Sequence, residues 1–180
     1  MMRHEADDVS RLRRIIRRLT LVTAVVSVVA ALILLPPLWQ ADDIREAVFR
    51  HLFAHNASGL QNHADAYYLS VGPFWFDPGE GFLKRFAGHK PPVRKFSECR
   101  PPDEFPGRPR NIKTGREGLI FRVRFIRRVG LQEFEVKGGY YEGFLSASGN
   151  TYRVRLMNGC WVVVRDRMDW ISCLGMESPG

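Results

Sequence analysis

Cysteine is scarce in this chain: Cys99, Cys160 and Cys173 are the only three in 180 residues, and none sits in a Cys-x-x-Cys pair. The scarcity excludes a disulfide-stapled miniprotein, and the spacing argues against a zinc ribbon and a thioredoxin-like exchange centre. An odd count leaves at least one thiol free, with three pairings open for the other two. No residue type is abundant enough for a collagen-like or low-complexity tract, so the bulk of the chain reads as globular.

Charge is missing altogether from Leu19 to Gln40. The run LTLVTAVVSVVAALILL is almost continuously aliphatic, and about 20 residues at 1.5 Å each span the roughly 30 Å hydrocarbon core of a bilayer. Trp39 stands where an interfacial aromatic belongs. Arginines between Arg11 and Arg18 precede the run and Asp42 and Asp43 follow it, which by the positive-inside rule keeps the N-terminus in the cytoplasm. A cleaved signal peptide needs small residues at its exit, where Pro36, Pro37 and Trp39 crowd instead. The expected organisation is a cytoplasmic Arg-rich tail over 1–18, a transmembrane helix over 19–39 with the lipid bilayer as its partner, an extracytoplasmic domain over 40–173 and a flexible tail over 174–180.

The formal charge of +8 divides into +3 for residues 1–40 and +5 for the rest. So mild an excess does not imply nucleic acid, and it suits anionic headgroups or envelope polymers equally well.

Beyond the expected anchor, DIREAVFRHLFAHN has an acidic start and a glycine past its end, the signature of a helix over about 42–56. Ile44, Ala47, Val48, His51, Leu52 and His55 share one face of it, and Phe49 and Phe53 point towards a second contact. A short apolar stretch, DAYYLSVG, follows, then a turn at Asp77–Gly79 and a short helix over 81–87. VRKFSECR reads as a strand, and 100–118 is a Pro- and Gly-rich loop long enough to be a partner surface. The C-terminal half alternates. Phe121, Val123 and Phe125 face inward in one strand, and a turn near Val129–Gly130 sets Phe125 opposite Phe134, Val123 opposite Val136 and Arg124 opposite Glu135. Asn158-Gly159 is the strongest hairpin signal. It places Trp161, Val163 and Arg165 opposite Leu156, Val154 and Tyr152.

Helix, short strand, short helix and antiparallel meander, in that order over about 42–172, resemble the α+β roll of NTF2-like and cystatin-like domains. The resemblance implies one main helix packed on a curved antiparallel sheet around a cone or pocket. The strings HKPPV, SEC, KTGREGLIFRV, GGYYEGFLSASGNTYRV, NGCWVV and DWIS look like those of small uncharacterised bacterial exported or anchored proteins. That likeness implies a bacterial inner-membrane location with the C-terminal domain periplasmic or extracellular, and it carries no catalytic residue across. A short cytoplasmic tail, one helix and a periplasmic NTF2-like domain is also the layout of the VirB8 component of type IV secretion systems.

Several side chains have chemical potential. His51 and His55, four apart on a helix, have the spacing of two metal ligands, with His63 or Asp65 needed to complete a set; Leu52 stands where a zinc protease has glutamate. A packed histidine pair is the preferred reading. Cys99 with His89 or His63 could make a nucleophile and base, although a strand-end cysteine is more often packing. Asp65, Tyr67, Tyr68, Trp75 and Asp169 are the acids and aromatics that a cone of this kind would hold, against the plainer reading of a β-rich core with Tyr140, Tyr141, Tyr152, Trp161 and Trp170. Arg122, Arg124, Arg153 and Arg155 form a ladder read as a solvated face paired with Glu133 and Glu135, or as an anion surface. Asn56-Ala57-Ser58 is a sequon without weight in a bacterial protein. No catalytic, cofactor or metal residue is assigned. The expected function is non-catalytic protein or ligand binding in the envelope, with an NTF2-like pocket protein or enzyme and a subunit of an envelope complex as alternatives.

Overall fold

The computed structural model describes residues 13, 16–29, 38–56, 58–61, 63–101 and 107–173. Residues 16–29 are helical (α1) and their apolar side chains are exposed. The anchor expected over 19–39 is therefore corrected. Residues 30–37 lie outside the described residues, and among the described residues no helix is long and apolar enough to cross a membrane. Trp39 falls in the next helix, α2 (Leu38–Ala54), which packs on the sheet. Single-pass topology and the inner-membrane location both rested on that anchor, and the structure conflicts with them. The expected tails, 1–18 and 174–180, lie outside the described residues except for Arg13 and 16–18.

Helix α2 begins a turn before the expected Asp42 or Asp43, directly after Pro37, because a proline can precede a helix but not sit inside one. Ile44, Val48 and Leu52 form one buried stripe against the sheet. Phe49 and Phe53 form a second, covered by Phe82 and Phe86 from the short helix α3 (Glu80–Leu83) and the 3-10 turn after it. Full burial of a ring such as Phe49 contributes about 1.5–3 kcal/mol. Asn56 closes the C-terminal end by donating from Nδ2 to the carbonyls of Leu52 and Phe53.

The strands are β1 (Tyr67–Val71), β2 (Val93–Lys95), β3 (Cys99–Arg100), β4 (Arg110–Asn111), β5 (Leu119–Gly130), β6 (Glu133–Gly143), β7 (Ser146–Met157) and β8 (Cys160–Cys173). Six of them form one sheet in the order β2-β1-β5-β6-β7-β8, and β3 pairs with β4 separately. The expected antiparallel roll is corrected here too. β1 runs parallel to both neighbours, β2 and β5, so the sheet is mixed and dominates the described fold. Parallel pairing needs a long return connection, and residues 72–118 supply it. The strand read into VRKFSECR is broken by a 3-10 turn at Phe96–Glu98 into β2 and β3.

Register explains which side chains reach which face. Asn158 (φ 52°) and Gly159 (φ 82°) make the two-residue turn with both residues left-handed, and Leu156 meets Trp161 and Val154 meets Val163. Tyr152 meets Asp166 rather than Arg165, because Val164 is an extra residue in a bulge. In the first hairpin the turn lies two residues later than expected, at Leu131–Gln132, and a bulge removes Arg124 from the alternation. Ile126 therefore meets Val136, Arg127 meets Glu135 and Arg128 meets Phe134, while Phe125 is left 48% exposed. One sheet face, with Tyr67, Phe121, Phe134, Tyr152 and Val154, lies under α2. On the other, Ala66, Tyr68, Ile120 and Cys99 form a smaller buried cluster, and the part over β6–β8 is open.

Candidate trough on the open sheet face

The open face carries a trough of about 370 Å³ floored by β6 and β7 at Gly138–Gly139 and Gly149. All three of these glycines are required by contact, Gly138 because a Cβ there would stand 2.6 Å from the Arg122 carbonyl oxygen. A Cβ on Gly139 would stand 1.9 Å from the Ser148 carbonyl oxygen, and one on Gly149 would stand 2.1 Å from Nε1 of Trp170. The floor is thus backbone without side chains, with Trp170 lying across Gly149 as one wall and Tyr141 and Trp75 contributing further aromatic surface.

Trp75 comes from the turn after β1, which closes through reciprocal bonds between the backbones of Val71 and Phe76 at 2.8 and 3.0 Å. It adopts φ 61°, a left-handed conformation that costs a bulky residue about 1–2 kcal/mol and persists only where surroundings impose it. Arg122 and Phe96 both pack on its ring. The Arg122 guanidinium lies 3.8 Å from the Trp75 ring centroid, and Nη2 donates to the carbonyls of Gly72 and Pro73. Nε of Arg122 is buried with no partner among the described residues. Burial, and secondarily Arg124, pull the Arg122 pKa down to about 10, so it remains a cation at neutral pH.

The ladder read from sequence divides here. Arg153 and Arg155 reach Glu133 at 3.6 and 3.2 Å, and Arg127, which sequence reading missed, takes Glu135 at 2.8 Å. That hydrogen bond holds the Glu135 carboxyl below the usual range. Arg122 and Arg124 have no carboxylate within ion-pair distance among the described residues. The carboxylate in the trough, Asp169, accepts from Thr151 Oγ1 at 2.5 Å and from Arg167 at 3.0 Å, with Lys137 at 3.8 Å. Thr151 first and then Arg167 keep its pKa low.

The remaining candidates are dispersed. His51 and His55 stack at 4.5 Å between centroids, His51 Nε2 lies 3.1 Å from Asp166, and Asn150 Nδ2 donates to the same carboxylate at 2.6 Å, tying α2 to β7 and β8. Asp65 pairs with Arg116 at 3.4 Å, and no group of three or more metal-ligating side chains suited to a metal ion occurs among the described residues. His89 packs on Phe53 and Tyr67, whereas Cys99 sits in the cluster on the opposite face, so no nucleophile–base pair forms. Burial, with Asp77 a lesser cause, pushes the Cys99 thiol up to about 12 and keeps it protonated. Cys99 and Cys160 are both free thiols. Of the expected cone residues, Trp75 and Asp169 line the trough, Tyr67 lies under α2 and Tyr68 is in the smaller cluster. A second cavity, about 430 Å³ beside His89, has its polar groups occupied: Arg50 by Glu46, Gln61 by the Phe53 carbonyl and His89 by that of Pro91. The tandem Gly138-Gly139 beside Tyr140-Tyr141 was the sequence signal for the trough floor. No protein-family model, curated protein or solved structure matches this chain.

Proposed function

We propose that this domain is a non-catalytic binding module whose trough takes a small ligand with a largely apolar body. The supporting observation is the concavity over the side-chain-free floor at Gly139 and Gly149, flanked by aromatic rings, on the face that α2 leaves open. Sites of this kind are concave, chiefly apolar and supplied with a few convergent polar groups; about 370 Å³ lies within the roughly 300–1,000 Å³ they occupy. The chemistry at hand favours holding over reacting. Asp169 is anchored in its ionised form and Cys99 is protonated and walled off, so neither is poised to move a proton or attack at neutral pH.

Titration of the full chain with 1-anilinonaphthalene-8-sulfonate, followed by dye fluorescence, tests the proposal. One saturable site per chain is expected, and Trp170→Ala should weaken it about tenfold, the effect of removing roughly 1.4 kcal/mol of wall contact. Trp170 is 56% exposed, so the fold should tolerate its truncation. Unsaturable dye uptake, or saturation indifferent to Trp170→Ala, would refute the trough as the site.

A further inference from the structure

We infer that the trough selects an amphipathic monoanion, with its head at Arg122 and its flat apolar body along the Gly139–Gly149 floor. The inference rests on the trough being a ligand site and names what that ligand must carry. Of the three cations lining the trough, Lys137 has Asp169 within reach, whereas Arg122 and Arg124 meet no carboxylate among the described residues. Nearby arginines on the same sheet face have carboxylate partners: Arg127 pairs with Glu135, and Arg153 and Arg155 share Glu133. Arg128 and Arg165 also lack a carboxylate among the described residues, but neither lines the trough, so the unpaired charge inside the concavity is that of Arg122 and Arg124. A cation partly withdrawn from water without a counter-charge gains from an anion that arrives to meet it, which gives the site charge complementarity towards a negative head.

Arg122 is also held in place before any ligand arrives. The Trp75 ring lies against its guanidinium and the Gly72 and Pro73 carbonyls take Nη2, so a head group meets a fixed cation rather than a mobile side chain. Arg124 is exposed and lies over Phe125, which makes it the weaker, auxiliary charge. One fixed guanidinium suits a single negative charge. The apolar remainder of the lining suits a ring or short chain, with the indole of Trp170 above the floor to stack on it.

The test compares two probes of nearly the same shape, 1-anilinonaphthalene-8-sulfonate and its uncharged relative N-phenyl-1-naphthylamine. An apolar groove without charge selection binds the uncharged, more hydrophobic dye more tightly. The expected result is the reverse order by at least about tenfold, which is about 1.4 kcal/mol. Arg122→Met should abolish the preference, Arg122→Lys should restore part of it, and Arg124→Met should reduce it by less. Arg122→Met also removes the contacts that hold the Trp75 turn, so Arg122→Lys, which keeps a cation at that place, separates loss of charge from loss of the turn. 1-Naphthoate should displace the dye better than 1-naphthyl phosphate. Preference for the neutral dye, unchanged by Arg122→Met, overturns the inference while leaving the trough a binding site; preference for the phosphate overturns the single-charge assignment. Failure of both dyes to bind defeats the underlying reading instead, as does a dimer by sedimentation whose formation excludes both.

Discussion

Gly139→Ala is expected to lower the stability of this protein by about 3 kcal/mol or more, at the upper end of overpacking effects. The added methyl would sit 1.9 Å from the Ser148 carbonyl oxygen, 2.9 Å from its carbon and 3.1 Å from the Gly149 Cα. All three are backbone atoms of the adjacent strand, where Gly139 is in register with Gly149. No rotamer change relieves such a contact; β6 and β7 must move apart, and the ladder bonds on either side weaken as they do. A loss of about 3 kcal/mol corresponds to roughly 6–12 °C in Tm for a chain of this size. Gly81→Ala is the control, since nothing lies within 4 Å of its Cβ position in α3 and the helix gains about 0.5–1 kcal/mol from losing a glycine. Urea denaturation of the two variants should move the midpoint in opposite directions. Equal midpoints would mean that the strands do not approach so closely.

Glu142→Ala is expected to cost about 3–5 kcal/mol, the effect of removing one partner from a buried charged network. Glu142 is 3% exposed, near the end of β6. Oε2 accepts from Ser58 Oγ at 2.8 Å, from the Gly59 amide at 3.1 Å and from Ser146 Oγ at 2.8 Å, while Oε1 meets Arg108 at 3.1 Å. One carboxylate thus joins the segment after α2, the β6–β7 turn and the loop before β4. Truncation takes the acceptor from the buried Ser58 hydroxyl and from three donors that solvent reaches in part, and it breaks the link between the three segments. Glu142→Gln keeps one acceptor and the shape, and should lose less than half as much. Arg108→Ala should lose about 1 kcal/mol or less, because that side chain is partly solvated and also pairs with Glu117 at 3.0 Å. A Glu142→Ala variant as stable as the parent in equilibrium denaturation would show that these contacts are not maintained in solution.

The parts of the fold legible in the sequence were those decided by a few adjacent residues. Asn158-Gly159 specified its turn and the first two pairs of the β7–β8 hairpin, because both turn residues tolerate positive φ. Register failed where a bulge intervened. One extra residue at Val164 displaced Tyr152 from Arg165 to Asp166, and in the first hairpin the later turn and an extra residue at Val129 shifted the pairs up to Phe125, with Arg124 a second extra residue beyond them; no count of alternating residues marks these. The parallel pairing of β1 with β5 was illegible for a different reason: its partners are separated by some fifty residues, and two-residue periodicity is the same in parallel and antiparallel strands. The anchor reading shows the converse weakness of local signals. Hydropathy from Leu19 to Gln40 counts apolar residues without regard to helix boundaries, whereas Trp39 and the residues after it belong to a helix that packs on the sheet.

The candidate site was legible as parts and not as an assembly. Trp75, Asp169, Trp170 and the arginine ladder were each visible, whereas the glycine pair at 138–139 carried no reading of its own. Their meeting depends on five chain segments brought into register, and the distinction between Arg122 and its paired neighbours depends on Arg127 taking Glu135, which only the shifted hairpin allows.

The most direct measurement is a two-dimensional ¹H–¹⁵N correlation spectrum of the full chain titrated with 1-anilinonaphthalene-8-sulfonate. The backbone amides of Gly138, Gly139 and Gly149 and the indole N–H groups of Trp75 and Trp170 should shift together and saturate at one equivalent, with Arg50, Gln61 and His89 unmoved. Shifts confined to the cavity beside His89, or spread evenly over the exposed apolar side chains, would contradict a binding site on the open face of the sheet.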